Sequence, residues 1–229
     1  MISAIMQPYF FPYIGYYQLV YEVEKFVFLD DVNFIKKGYI NRNAILLQGQ
    51  RYEFSVPVSK VSQNRHINDH NYTGEFEQFL SLIERAYKKA PFLSDVFPII
   101  QSVALAPNQN VAKKNADSIT SIFTYLNIYK DFSFASDNNL DGEYKGQERI
   151  LALCQKLGIN RYRNAIGGRE LYDLESFNKN GIELKFIETQ LKAYKQGAAD
   201  FVPHLSMIDI LMHCNKEEVI DLLSKYSLV

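Results

Sequence analysis

From Ile2 to Met6 the chain is apolar apart from Ser3, and the run breaks on Gln7-Pro8-Tyr9-Phe10-Phe11-Pro12-Tyr13. Ile14, Tyr17, Gln18 and Tyr21 then recur three or four apart. The pattern predicts a buried strand over 3–9, a proline-punctuated aromatic loop, and a helix over 14–23. Lys25-Phe26-Val27-Phe28-Leu29 reads as a second short strand ending at Asp30-Asp31, which completes a βαβ unit. Ala44 to Leu47 and Tyr52 to Val56 flank Gln48-Gly49-Gln50, the signature of a β-hairpin with glycine in its turn. Residues 59–71 show no period and read as a loop.

Helical spacing returns with Phe76, Phe79, Leu80, Ile83 and Tyr87, which predicts a helix over 75–89 closed near Pro91. Further helices are expected over 95–105 and 111–126. Phe132 to Ala135 reads as a strand and 136–142 as a loop. A helix over 147–157 closed by Gly158, a strand over 162–166, a helix over 169–180 closed by Gly181 and a strand over 183–187 follow. One or two helices fill 206–226. Helices ended by glycine before strands indicate an α/β fold: a mainly parallel sheet flanked by helices, with an added β-hairpin and a central helical lobe. We expect one α/β domain over residues 1–229, with 75–127 as the helical insertion.

Composition narrows the function. With 229 residues and a net charge of −1, the chain advertises neither a DNA-binding nor a membrane-binding surface. No apolar stretch reaches the ~18 residues of a membrane span, and the opening lacks a basic segment before a long apolar one, so a cytoplasmic protein is expected. The two cysteines, Cys154 and Cys214, stand far apart among apolar residues and read as buried, reduced thiols. His66 and His70 lie among Asn68, Asp69 and Asn71, a loop composition that suits solvated side chains better than a metal site. His204 and His213 read as structural or exposed. No GxSxG is present, which leaves a serine hydrolase without its elbow.

Three places could carry chemistry. In an open α/β sheet, ligands bind beyond the carboxyl ends of the strands, so the loop after the first strand is a candidate site. Asn164-Ala165-Ile166-Gly167-Gly168-Arg169 sets two glycines between a strand and a helix, where backbone amides can hold a phosphate, although a tight turn needing positive φ explains them equally. Lys36, Lys37 and Arg42 make the second loop basic, and Arg149 and Arg169 could join them.

Several segments taken together resemble the WbqC-like family of bacterial surface-polysaccharide clusters. They are Gln7 to Tyr16, Phe28 to Val32, Asn41-Arg42-Asn43, Val56-Pro57-Val58, Tyr87 to Phe92, Ile166 to Asp173, Tyr194-Lys195-Gln196 and Phe201 to Asp209. His204 stands where a bulky aromatic would be expected. The resemblance implies a role in O-antigen (lipopolysaccharide) assembly, as a transferase that moves a glycyl or other aminoacyl group to an amino sugar. Such an acyltransferase would take a nucleotide-linked amino sugar and an activated aminoacyl donor, with no certain cofactor and no metal. Acyl transfer needs a base, oxyanion donors and a diphosphate cradle. Asp30 or Asp31 is then the candidate base, and Gln7, Asn43 and Asn164 are candidate donors. The amides of Gly167 and Gly168 with Arg42 and Arg169 form the cradle, and Tyr9 and Tyr13 the stacking surface. Gly15 and Gln196, in two of the matching segments, complete the candidate site.

A nucleotide-sugar-binding or scaffold protein without turnover is the alternative. The opening is also distantly similar to the HIGH-type nucleotidyltransferases, with Tyr16 and Tyr17 in place of the histidines that would face a phosphate. That likeness gives a third reading.

Overall fold

Alternation along the first strands sets the frame. In β1 (Ile2–Met6), Ala4 joins the core on one side of a sheet and Ile5 the core on the other. In β2 (Lys25–Phe28), Phe26 and Phe28 share the first side and Val27 takes the second. Strands apolar on both faces must be covered on both, as parallel sheets are. The computed structural model describes residues 1–140, 144–198 and 200–229; Gly142, at the end of the expected loop 136–142, lies outside the described residues.

The remaining strands are the hairpin β3 (Arg42–Leu47) and β4 (Gln50–Ser55), then β5 (Asp131–Phe134), β6 (Arg161–Ala165), β7 (Glu183–Thr189) and β8 (Tyr226–Leu228). The helices are α1 (Ile14–Glu22), α2 (Glu77–Tyr87), α3 (Leu93–Leu105), α4 (Val111–Tyr125), α5 (Gly146–Lys156), α6 (Leu174–Lys179), α7 (Met207–His213) and α8 (Lys216–Leu223). One sheet runs β5-β2-β1-β6-β7-β8, parallel except for β8, while β3 and β4 pair separately. Its first face packs against α1, α7, α8 and the α2–α4 lobe, its second against α5 and α6. The chain moves outward from β1 through β2 to β5, then returns beside β1 as β6 and moves outward the other way. That reversal makes β1/β6 the topological switch point.

Most element boundaries fall within two residues of the pattern, and the exceptions have physical causes. The helix expected over 169–180 is a 3-10 turn over Ile166–Leu171 followed by α6. Asp173 separates them, because its carboxylate accepts from the Glu175 and Ser176 amides and restarts the helix. Gly167 and Gly168 are the second and third residues of the 3-10 turn and are absent from the positive-φ residues, so the φ > 0 turn does not describe them. β8 was not expected; it adds an antiparallel edge beside β7. In the hairpin, Gln48 (φ 52°) and Gly49 (φ 77°) form the doubly left-handed turn that matches strand twist.

Two buried polar side chains are satisfied by nearby backbone groups. His70 is buried, not solvated: Nε2 accepts from the Ser62 amide at 3.1 Å and Nδ1 faces the His66 carbonyl at 2.7 Å. Lys114, fully buried, donates to the carbonyls of Val103, Ala104 and Ala106 at 2.9, 3.1 and 3.0 Å, capping the end of α3. Cys154 and Cys214 are free and buried against opposite sheet faces, and burial pushes both thiols up to about 12. Among the described residues, no helix is long and apolar enough to cross a membrane.

Burial pushes the phenols of Tyr16, Tyr17, Tyr72, Tyr87 and Tyr162 above their ordinary value. The unfolded chain releases these protons near pH ~10 while the folded chain keeps them, so their stabilisation is complete below that pH and is lost above it. The slope approaches about 1.4 kcal/mol per pH unit for each phenol. In an alkaline titration, loss of circular dichroism should coincide with a cooperative step in phenolate absorbance above pH ~10. Smooth ionisation of all tyrosines with the fold intact would contradict this.

Candidate functional site

The site is built on the loop between β1 and α1. Phe11 is fully buried yet adopts a left-handed backbone, φ 41°, a conformation that costs a bulky residue about 1–3 kcal/mol. Three distant side chains hold it. The Phe11 amide donates to Ser118 Oγ at 3.0 Å, and its carbonyl accepts from Asn43 Nδ2 and Ser206 Oγ, both at 2.6 Å. Asn115 Nδ2 donates to the Pro8 and Ile40 carbonyls at 3.0 and 2.7 Å, and its Oδ1 accepts from the Tyr72 hydroxyl at 2.6 Å. The Pro12 carbonyl accepts from the Met207 amide at 2.8 Å. Pro8 and Pro12 bring no donors of their own, so the loop's polar backbone is accounted for from outside.

Pinned this way, the loop sends the rings of Phe10 and Phe11 into the core and leaves Tyr9 and Tyr13 half-buried on the opposite side. They wall a cleft of about 530 Å³ at the carboxyl ends of β6 and β7, faced by β3 and β4 of the hairpin. This is a size typical of small-molecule sites. Tyr39 packs on Tyr9 with ring centroids 6.3 Å apart and is itself exposed, so the aromatic wall continues to the rim. Burial pushes the Tyr9 phenol up to about 12 and raises that of Tyr13, so both present neutral hydroxyls. Arg51 reaches the cleft while Nη1 donates to the His204 carbonyl at 2.8 Å. Its other contact, Glu53 at 3.7 Å, is an exposed pair of little energetic weight. Glu188 and Thr189, at the carboxyl end of β7, close the cleft opposite. Among the described residues Glu188 forms no ion pair.

Of the residues singled out from sequence, Tyr9, Tyr13, Gly15, Asn43 and Gly167 line this cleft, and Gln7 touches it through Tyr9, whose hydroxyl stands 3.5 Å from Oε1. The others lie outside its walls. Asp30 is buried and accepts from the Ser136 amide, Ser136 Oγ and Asn68 Nδ2 at 3.0, 2.7 and 3.1 Å, so it ties two loops together. Asp31 pairs with Arg149 through Oδ2, its Oδ1 is without a partner among the described residues, and neither residue is in the cleft wall. Asn43 spends its amide on Phe11 and its Oδ1 on the Ala44 amide. Asn164 is buried, accepting from the Ala165 amide at 2.8 Å. Arg42 folds back onto the Lys37 carbonyl, Gly168 and Arg169 sit beyond the wall, and Gln196 is buried elsewhere.

Sequence reasoning missed Tyr39, Arg51, Glu188, Thr189 and His204. Glu188 and Thr189 carried a usable signal, because they end a parallel strand on the ligand side of the sheet. Arg51 carried none, since its position depends on how the separate hairpin docks.

Glycines in the cleft separate two effects. A Cβ on Gly15 would stand 2.5 Å from Tyr13 Cε2 and 2.6 Å from Thr189 Oγ1, whereas one on Gly167 meets nothing within 4 Å. Gly15→Ala should therefore displace Tyr13 and destabilise by about 1–3 kcal/mol, while Gly167→Ala should change stability by less than about 0.5 kcal/mol. Urea unfolding of the two variants checks this; equal midpoints would refute it. Asn43→Ala leaves the Phe11 carbonyl short of a donor and should cost about 1–3 kcal/mol in the same assay, with no loss expected if the loop holds itself.

The model of the WbqC-like protein family matches residues 7–221. The uncharacterized protein Rv1507c of Mycobacterium tuberculosis is 25% identical over 220 residues, covering 93% of this chain and 94% of that protein. No solved structure matches the chain. The family match begins at Gln7, where the pinned loop leaves β1, and ends within α8, so it takes in every wall of the cleft: the chain belongs to the WbqC-like protein family.

Proposed function

We propose that this protein is an acyltransferase of surface-polysaccharide assembly, such as that of an O-antigen. In this reading it transfers a glycyl or other aminoacyl group from an activated donor to the amine of a nucleotide-linked deoxyamino sugar. The observation that carries the reading is the aromatic cleft at the switch point, in which Glu188, a carboxylate with no ion pair among the described residues, and a guanidinium, Arg51, line the same space. A nucleotide-linked amino sugar has the matching parts: flat faces for Tyr9 and Tyr13, a diphosphate for Arg51 and the Gly167 backbone, and an ammonium for Glu188. Family membership supports the same direction.

Acyl transfer requires the sugar amine to lose a proton and attack the donor carbonyl, after which the tetrahedral adduct expels the donor's leaving group. Glu188 holds the ammonium in place. The His204 imidazole, also on the cleft wall, is the side chain suited to take the proton. The neutral hydroxyls of Tyr9 and Tyr13 can donate to the developing oxyanion. Tyr16 and Tyr17, which stand in for nucleotidyltransferase histidines, are buried and reach no phosphate, so that third reading loses its polarising groups.

Incubation with a nucleotide-linked deoxyamino sugar and glycyl thioester, glycyl adenylate or glycyl-tRNA should yield the N-glycyl sugar by mass spectrometry with one of the three. Glu188→Gln should lower kcat/KM by about 100-fold, and Arg51→Gln should raise KM by about tenfold. A second reading, a nucleotide-sugar-binding protein without turnover, is favoured by one observation: Asp30 and Asn43 spend their side-chain polar atoms inside the fold, and Asp31 and Asn164 each commit an oxygen there. Binding of the sugar nucleotide with no product from any donor would decide for it.

A further inference from the structure

Two segments that carry the family resemblance take no part in the lining of the cleft: Tyr87 to Phe92 and Tyr194 to Gln196. They converge instead on a second groove of about 730 Å³, bounded by the β3–β4 turn, the junction of α2 and α3, residues 195–197 and the end of α7. Its charged lining residues are all basic: Arg85, Lys88, Lys89 and Lys195, with His213 beside them. Among the described residues none of the four Lys and Arg side chains pairs with a carboxylate. In a chain of net charge −1 this is a local concentration of one sign, and a concave wall focuses its field on whatever enters.

A carboxylate is sealed beneath the groove. Asp209 is fully buried; Tyr87 donates to Oδ1 at 2.9 Å, and Tyr194 and the Gln196 amide donate to Oδ2 at 2.6 and 3.1 Å. Those bonds make Asp209 the fixture that holds two groove walls, Tyr87 and Gln196. His213 Nδ1 lies 2.8 Å from the Asp209 carbonyl, an acceptor only, so the ring carries its proton there and turns Nε2 toward Gly197 on the groove wall. Leu46, Leu47, Ala86, Ala90 and Pro91 give the groove an apolar wall.

We propose that this groove binds a phosphorylated small molecule of nucleotide size. Two or more phosphates would meet Arg85, Lys88, Lys89, Lys195 and His213, and the body of the ligand would lie on the apolar wall. The volume suits such a ligand, and the balanced overall charge and confined basic patch point away from a nucleic-acid strand. The inference does not rest on the reading of the switch-point cleft.

Calorimetry on the full chain with inorganic pyrophosphate, ATP and coenzyme A tests it and separates a plain nucleotide from an acyl-carrying coenzyme. At least one of ATP and coenzyme A should bind with one site per chain and more tightly than pyrophosphate. The combined variant Lys88→Gln, Lys89→Gln, Lys195→Gln should weaken that binding by about tenfold or more, with Arg51→Gln without effect. These lysines are exposed; should the combined variant fail to fold, Lys195→Gln alone should still weaken binding. No binding by any of the three, equal affinity for all three, insensitivity to the lysine variants, loss through Arg51→Gln, or tighter binding of a short RNA would each overturn the proposal.

Discussion

The architecture of the cleft turns on one residue in an unfavourable backbone conformation. A left-handed phenylalanine costs about 1–3 kcal/mol, and its hydrogen bonds with Ser118, Asn43 and Ser206 contribute about 0.5–1.5 kcal/mol each, so the three together are of the size needed to offset it. The ring of Phe11 is fully buried, which keeps the conformation from relaxing toward solvent. What the strain achieves is directional. It turns two aromatic residues inward and two outward within a single loop, so core and ligand wall come from one stretch of sequence.

The fold was largely legible because its signals are local. Apolar strands, helical spacing and the glycines after α5 and α6 each report on a few neighbouring residues, and the sheet follows from their order. Asp173 defeated the reading of one helix because a cap in mid-pattern breaks a helix without disturbing its spacing. β8 escaped because three residues at a chain end carry too little pattern.

The site was legible only where it coincides with the sheet. Of the residues read from the sequence, Tyr9, Tyr13, Asn43 and Gly167 line the cleft because strand ends and their loops converge on the switch point. Asp30 also follows a strand, yet it turns into the fold to join Ser136 and Asn68, and no local feature distinguishes a carboxylate that ties loops from one that meets a ligand. Arg51 and His204 are joined across 153 residues by a hydrogen bond, a relation that exists only after the hairpin docks. The buried Asp209 cluster has the same character, since Tyr87 reaches it from 122 residues away.

The anchors of Phe11 also fix when the cleft can exist. Asn43, Ser118 and Ser206 lie 32, 107 and 195 residues from it along the chain, so the loop gains its full support only after the hairpin, the helical lobe and the C-terminal helices have all closed onto β1. Closing long chain segments is entropically slow, which places the cleft among the last features to form during folding and among the first to dissolve. The shape of the cleft is then a readout of the whole chain's integrity. A substitution deep in the lobe that loosens α4 would silence the cleft without touching any residue in its walls, and a ligand seated there would in turn hold the lobe, hairpin and tail together as one cooperative unit.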